Sequence, residues 1–240
     1  MNYLILVRHG QSKWNLEKRF TGWADIQLTE KGKLEAKESG IMIRKLNINI
    51  DSFYTSFQKR AIDTMEIITK VLAIKNKKIN NFWELNERHY GALTGLNKDE
   101  MKKKYGEKKV FIWRRSWNVF PPPMKFDHPY HPLKNKKYSL IPKSKIPSSE
   151  SLHSTYNRVM PFFEKNIQPL LKKKQNILIV AHGNSLRALC KNLFKISKNK
   201  IVKLEIPTGN PLLISFDENL KIKNPKYLDK KRHKKIIIDR

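Results

Sequence analysis

Two short apolar runs, Leu4-Ile5-Leu6-Val7 and Ile177-Leu178-Ile179-Val180-Ala181, each lead into a histidine followed by a glycine, as Arg8-His9-Gly10 and His182-Gly183. Unbroken β-branched and Leu positions predict strands covered on both faces, the pattern of central parallel strands. Ligands in such sheets collect at the carboxyl ends of the strands, so the two histidines are expected to share one crevice. Elsewhere the apolar spacing turns helical. Residues 29–45 read as a helix with Thr29 as N-cap and Ala36, Ile43 and Leu46 on its inner side. Residues 51–56 read as a short strand, and 59–72 as a second helix with Ala61, Met65, Ile68 and Leu72 inward. A further helix over about 151–171 precedes the second histidine strand, and the alternation predicts the α/β class.

The texture changes over about 84–149, which is rich in aromatics, Lys and Pro, with Pro121-Pro122-Pro123 and prolines at 129, 132, 142 and 147. Prolines at that density exclude a continuous helix or a central strand. The stretch is expected to be an insertion folded over the site as a lid.

Composition bounds the picture without naming the chemistry. The 240 residues suit one α/β domain carrying such an insertion, and a tail over about 228–240 holds the densest basic run, Lys230-Lys231-Arg232-His233-Lys234-Lys235. That run reads as a solvated, mobile end. The net charge of +29 is mostly Lys dispersed among abundant Asn and Ile. Such dispersal favours drift in surface composition over a polyanion site, with nucleic-acid or membrane binding and electrostatic attraction of small anions as the alternatives. The single cysteine, Cys190, fits a reducing compartment. No apolar run approaches the ~18 residues of a membrane helix. A cytoplasmic protein is therefore expected, without a nucleic-acid or membrane partner. No Cys or His cluster has metal-ligand spacing, and His128 and His131 lie in the proline-rich loop, so metal-independent chemistry is expected.

Several blocks carry a family resemblance: Arg8-His9-Gly10, Trp14-Asn15, Arg19-Phe20-Thr21-Gly22-Trp23, Thr55-Ser56 with Arg60-Ala61, Glu84 to Gly91, Leu96-Asn97-Lys98, Trp113-Arg114-Arg115 and His182 to Arg187. In this order, from residue 1 to about 217, the chain resembles the 2,3-bisphosphoglycerate-dependent phosphoglycerate mutase branch of the histidine phosphatase superfamily. The resemblance implies a three-layer α/β/α sandwich with a mostly parallel sheet, a homodimer, and interconversion of 2- and 3-phosphoglycerate. It also implies a phosphohistidine primed by 2,3-bisphosphoglycerate.

The chemistry agrees. A neutral imidazole can carry a phosphoryl group at neutral pH, which suits His9 as nucleophile. Arg8, Arg60 and His182 would form a cationic cage around the group in transit, with His182 protonated when phosphate is bound. Gly10 would let backbone approach the phosphate. A carboxyl must exchange protons with the sugar-acid hydroxyl. Glu84 and Glu87 are equal candidates by composition, and the resemblance places the role on Glu87. It further assigns substrate contacts to Gln11, Ser12, Asn15, Thr21, Gly22, Arg88, His89, Tyr90, Lys98, Arg114, Arg115, Gly183 and Asn184.

Two departures stand out. Gln11 replaces the usual glutamate after Arg-His-Gly, and a basic tail replaces the usual small-residue one, which in the family helps to close the site over substrate. Weaker closure would admit water and favour phosphatase over mutase activity.

Overall fold

The computed structural model describes residues 1–75, 78–232 and 234–238. His233, Asp239 and Arg240 of the basic tail, like Asn76 and Lys77, lie outside the described residues.

The first apolar run is β1 (Asn2–Arg8), followed by the one-turn α1 (Lys13–Leu16) and then α2 (Glu30–Arg44), which Thr29 caps by accepting the Gly32 N–H. Next come β2 (Ser52–Thr55), α3 (Lys59–Val71) and a short β3 (Ile79–Asn81). Residues 84–149 hold α4 (Lys98–Tyr105), α5 (Glu107–Arg115) and several single 3₁₀ turns. The chain continues through α6 (Leu152–Phe162), a π-helical turn (Phe163–Ile167), α7 (Gln168–Lys172), β4 (Ile177–Ala181), α8 (Gly183–Leu193), β5 (Leu212–Phe216) and β6 (Ile222–Tyr227).

The six strands form one sheet in the order β3-β2-β4-β1-β5-β6. β1 to β4 run parallel, whereas β5 and β6 are antiparallel additions at one edge. Alternation along β1 and β4 explains their unbroken apolar sequence. Leu4, Leu6, Ile177, Ile179 and Ala181 join the core under α6 and α8, with Val159, Leu186 and Leu189. Ile5, Val7, Leu178 and Val180 face the other way, onto Ile43 of α2 and Ala61, Met65 and Ile68 of α3. Helices thus cover both faces, and the fold is the three-layer α/β/α sandwich expected.

Three expectations need correction. The 84–149 stretch is not irregular throughout, because its prolines begin at 121 and leave 98–115 free to form two helices. These helices dock through Met101, Val110 and Trp113 onto Phe20 of the loop after β1. The helix over 151–171 contains Pro161, and Pro169 opens its final segment. Each proline lacks the N–H that closes a regular turn, and the rod widens into the π turn between them. The tail is not simply a solvated end: Ile236 and Ile237 pack on the main core, and Arg232 reaches Asp229, Glu35 and Glu38.

Candidate active site

β1 and β4 are adjacent and in register, Arg8 opposite Ala181, so each delivers the next residue to the same sheet edge. The His9 N–H bonds the Ala181 carbonyl at 3.0 Å, and the two imidazole centroids lie 4.9 Å apart. Both rings are buried.

The contacts of His9 fix its tautomer. Arg60 Nε–H can only donate, and it lies 3.2 Å from His9 Nε2. Nε2 must therefore carry a lone pair, and the ring proton sits on Nδ1, donated to the Gly10 carbonyl at 2.7 Å. Burial, then Arg60 and Arg8, hold the His9 pKa well below its ordinary value. The ring is neutral, with its lone pair aimed at a guanidinium.

Arg60 is equally constrained. It enters at the start of α3, and three of its four other N–H donors go to the carbonyls of Ala24 and Gly22 and to Gln58 Oε1. The Gly22 backbone, at φ +52°, thus serves the guanidinium. Arg8 donates to the Ile206 carbonyl at 2.9 Å and keeps its buried Nε without a partner. His182 pairs through Nε2 with Ser56 Oγ at 2.7 Å, and its buried Nδ1 has no partner. Burial and the nearby Arg60 and His9 keep its pKa well below normal. A phosphoryl dianion would act in the opposite sense. The unpartnered Arg8 N–H, and His182 Nδ1 once it carries a proton, are groups that an anionic ligand satisfies.

Glu87, and not Glu84, lines the cavity that these groups share. Its Oε1 accepts the backbone N–H of Arg88 at 2.7 Å and of Asn184 at 3.1 Å. Glu84 lines a separate groove with Arg158. The central cavity, about 230 Å³, is walled by Arg8, His9, Asn15, Thr21, Arg60, Glu87, Tyr90, Lys98, Arg114, Arg115, Gly183 and Asn184. His182 is not among the wall residues, its ring lying 4.9 Å from that of His9.

The remaining expected contacts support the wall from outside. A Cβ on Gly10 would lie 2.1 Å from the Gly32 carbonyl, so the packing of α2 alone already requires a glycine there. Gln11 ties the loop to α2 through Thr29 Oγ1 and, by its N–H, through Glu35. Ser12 caps α1. Arg88 donates to the carbonyls of Trp113 and Arg114 and so holds the end of α5. His89 is buried against Trp23, its Nδ1 accepts the Gly91 N–H, and burial lowers its pKa to about 3.

Five wall residues were not anticipated: Arg187, Glu205, Ile206, Pro207 and Lys234. Arg187 carried a signal, since it follows Asn184 by three residues and shares its face of α8. Its Nη1 bonds Asn184 Oδ1 at 3.0 Å. The others arrive from segments whose approach no local pattern reveals. Among the described residues no group of His, Cys, Asp and Glu could hold a metal ion.

A family model described as histidine phosphatase superfamily (branch 1) matches residues 4–222. A 2,3-bisphosphoglycerate-dependent phosphoglycerate mutase of Pelagibacter ubique is 57% identical over 99% of this chain and 100% of its own length. The enzyme of the same name from Maricaulis maris is 46% identical over 98% and 97%. A mycobacterial glucosyl-3-phosphoglycerate phosphatase structure superposes with a TM-score of 0.71 at 19% identity, covering 95% of this chain and 98% of that one. An Entamoeba histolytica phosphoserine phosphatase in complex with 3-phosphoglyceric acid gives 0.66 at 20% identity, over 95% and 96%.

Proposed function

The chain belongs to branch 1 of the histidine phosphatase superfamily, and on that premise we propose that it is a 2,3-bisphosphoglycerate-dependent phosphoglycerate mutase interconverting 3- and 2-phosphoglycerate. The observation that carries the reading is His9: neutral, its Nε2 lone pair against Arg60, at the base of a cavity walled mainly by Arg and Lys. Unpartnered donors on Arg8 and His182 and the cations beyond them suit a ligand with two phosphates and a carboxylate. 2,3-Bisphosphoglycerate, when bound, supplies the phosphoryl group that primes His9.

His9 Nε2 attacks phosphorus as the bond to the sugar-acid oxygen breaks, and the departing oxygen takes its proton from Glu87. In the return transfer the Glu87 carboxylate accepts the proton of the attacking hydroxyl while the P–Nε2 pair returns to the ring. Arg8, Arg60 and a protonated His182 offset charge on the transferring oxygens, so this reading needs no metal. Lys98, Arg114, Arg115 and Arg187 hold the distal phosphate and carboxylate, with Asn15, Thr21, Tyr90 and the Gly183-Asn184 backbone as hydrogen-bonding partners. Arg88 and His89 act through the groups they support.

The reading includes the family's homodimer and a cytoplasmic setting. Sedimentation at twice the chain mass tests the former. The central test is an enolase-coupled assay with 3-phosphoglycerate, with and without 2,3-bisphosphoglycerate. We expect stimulation by the bisphosphate, and His9→Ala should lose at least about a thousandfold in rate. Phosphate release without isomerisation, or isomerisation retained in His9→Ala, overturns the assignment.

A further inference from the structure

Glu205 is an acid in the wall of a cavity otherwise crowded with cations. Its Oε1 lies 3.2 Å from Arg115 Nη2, and its Oε2 lies 3.8 Å from Lys234 Nζ. Those partners come from the end of α5 and from the C-terminal tail. The neighbouring backbone makes the same joins: Leu204 O accepts from Arg115 Nη1, Glu205 O from Tyr227 Oη, and Ile206 O from Arg8 Nη1. This segment thus contacts the end of α5, Tyr227 of β6, Arg8 of β1 and the tail.

Without the carboxylate, Arg115 and Lys234 would face each other as like charges at the cavity mouth, which favours their separation. With it, helix and tail are drawn together where water would enter.

We propose that Glu205 is a positioning residue that clasps Arg115 to Lys234 and thereby sets how much phosphoryl group is lost to water. The inference rests on the mutase reading. The competing loss is hydrolysis of the phosphohistidine: water oxygen bonds to phosphorus, the P–Nε2 bond breaks, its electron pair returns to the imidazole, and both water protons leave on dihydrogen phosphate. A closed mouth suppresses this step without touching the transfer chemistry. Anchorage further along the tail helps, since Arg232 bonds Asp229 at 2.6 Å and the carbonyls of Thr208 and Gly209.

The test uses the full-length chain, with Glu205→Gln, Lys234→Met and the double variant. Two readouts are followed: the ratio of phosphate release to isomerisation, and the rate of tryptic cleavage of the native tail. Both ion pairs are part exposed, so the expected change is modest: a release ratio raised about threefold by either substitution, and by little more in the double. Tail cleavage should accelerate comparably in Glu205→Gln, while circular dichroism stays near that of the parent. An unchanged ratio with unchanged cleavage overturns the clasp, as does full additivity of the two substitutions. Should the parent chain not isomerise phosphoglycerate at all, the mutase reading fails, and the cleavage arm still decides whether Glu205 holds the tail.

Discussion

At the scale of single residues, Lys98 shows how burial sets a working range. Its ammonium donates to the Arg19 carbonyl at 2.6 Å, and desolvation, with Arg114 and Arg8 acting the same way, brings its pKa down to about 8. The charge that attracts an anion is therefore complete at pH 7 and lost as pH rises through about 8. A bound anion stabilises the cation and shifts the loss upward in the complex, so the effect belongs to KM more than to kcat. KM for 3-phosphoglycerate should rise about two- to tenfold between pH 7.5 and 9.5. Lys98→Arg should flatten that rise, because a guanidinium stays charged across the range, while Lys98→Met should begin with a higher KM and change little. Steady-state kinetics at three pH values check this, and a flat profile in the parent contradicts it. Single residues also show what sequence reasoning could not reach. Gly10 follows His9, and beside the expected approach to phosphate stands a second demand for a glycine, the carbonyl of Gly32, a neighbour no local pattern announces.

Between elements, that same contact controls how closely α2 sits beneath the catalytic loop. A methyl on Gly32 would meet the Gln11 carbonyl at 2.1 Å and the Gln11 nitrogen at 2.8 Å, both backbone atoms that cannot rotate aside. Gly→Ala in a helix ordinarily stabilises by about 0.5–1 kcal/mol. Here the sign should reverse, with Gly32→Ala losing about 1–3 kcal/mol as an overpacked site. Urea unfolding measures the difference, and an equal or higher midpoint at unchanged slope refutes the packing argument. The elements that were legible share one property: a face buried over most of their length. β1 and β4 announced themselves because both faces are buried and nearly every residue is apolar, α2 and α3 because the core dictates every third or fourth residue. α4 buries only Met101 and α5 only Val110 and Trp113, and the remainder of each is largely charged. Their helicity depends on docking against Phe20, which their own sequence cannot display. The two edge strands, the three-residue β3 and β6, are largely polar and only partly buried, and carry no strong period for the same reason.

Over the whole molecule, the site unites the ends of β1 and β4 with α3, α5, α8, the segment at 205–207 and the tail. The two histidine strands gave its position from pattern alone, and family resemblance supplied most of its cations. Arg187, Glu205 and Lys234 escaped because convergence of distant segments is a property of the fold. Convergence also sets the response to acid. His9, His182 and His89 are buried with pKa values lowered by desolvation, to about 3 for His89. Each titrates near 6.5 once the chain unfolds. Above that value the three add nothing to the pH dependence. Below it the unfolded state binds protons that the native state refuses, so stability must fall as pH falls. The slope is about 1.4 kcal/mol per pH unit for each histidine, at most about 4 for all three. Thermal unfolding should therefore show a marked drop in Tm from pH 7.5 to 5.5. His89→Gln should weaken the dependence by about a third, because it removes one refused proton without touching the cavity. Saturating 3-phosphoglycerate should weaken it also, since a dianion beside His182 raises that folded pKa towards the unfolded value and allows the native state to take the proton. A Tm that holds steady or rises on acidification would mean that these rings accept protons in the folded protein, and with that the neutral, lone-pair-bearing His9 would be lost as the nucleophile.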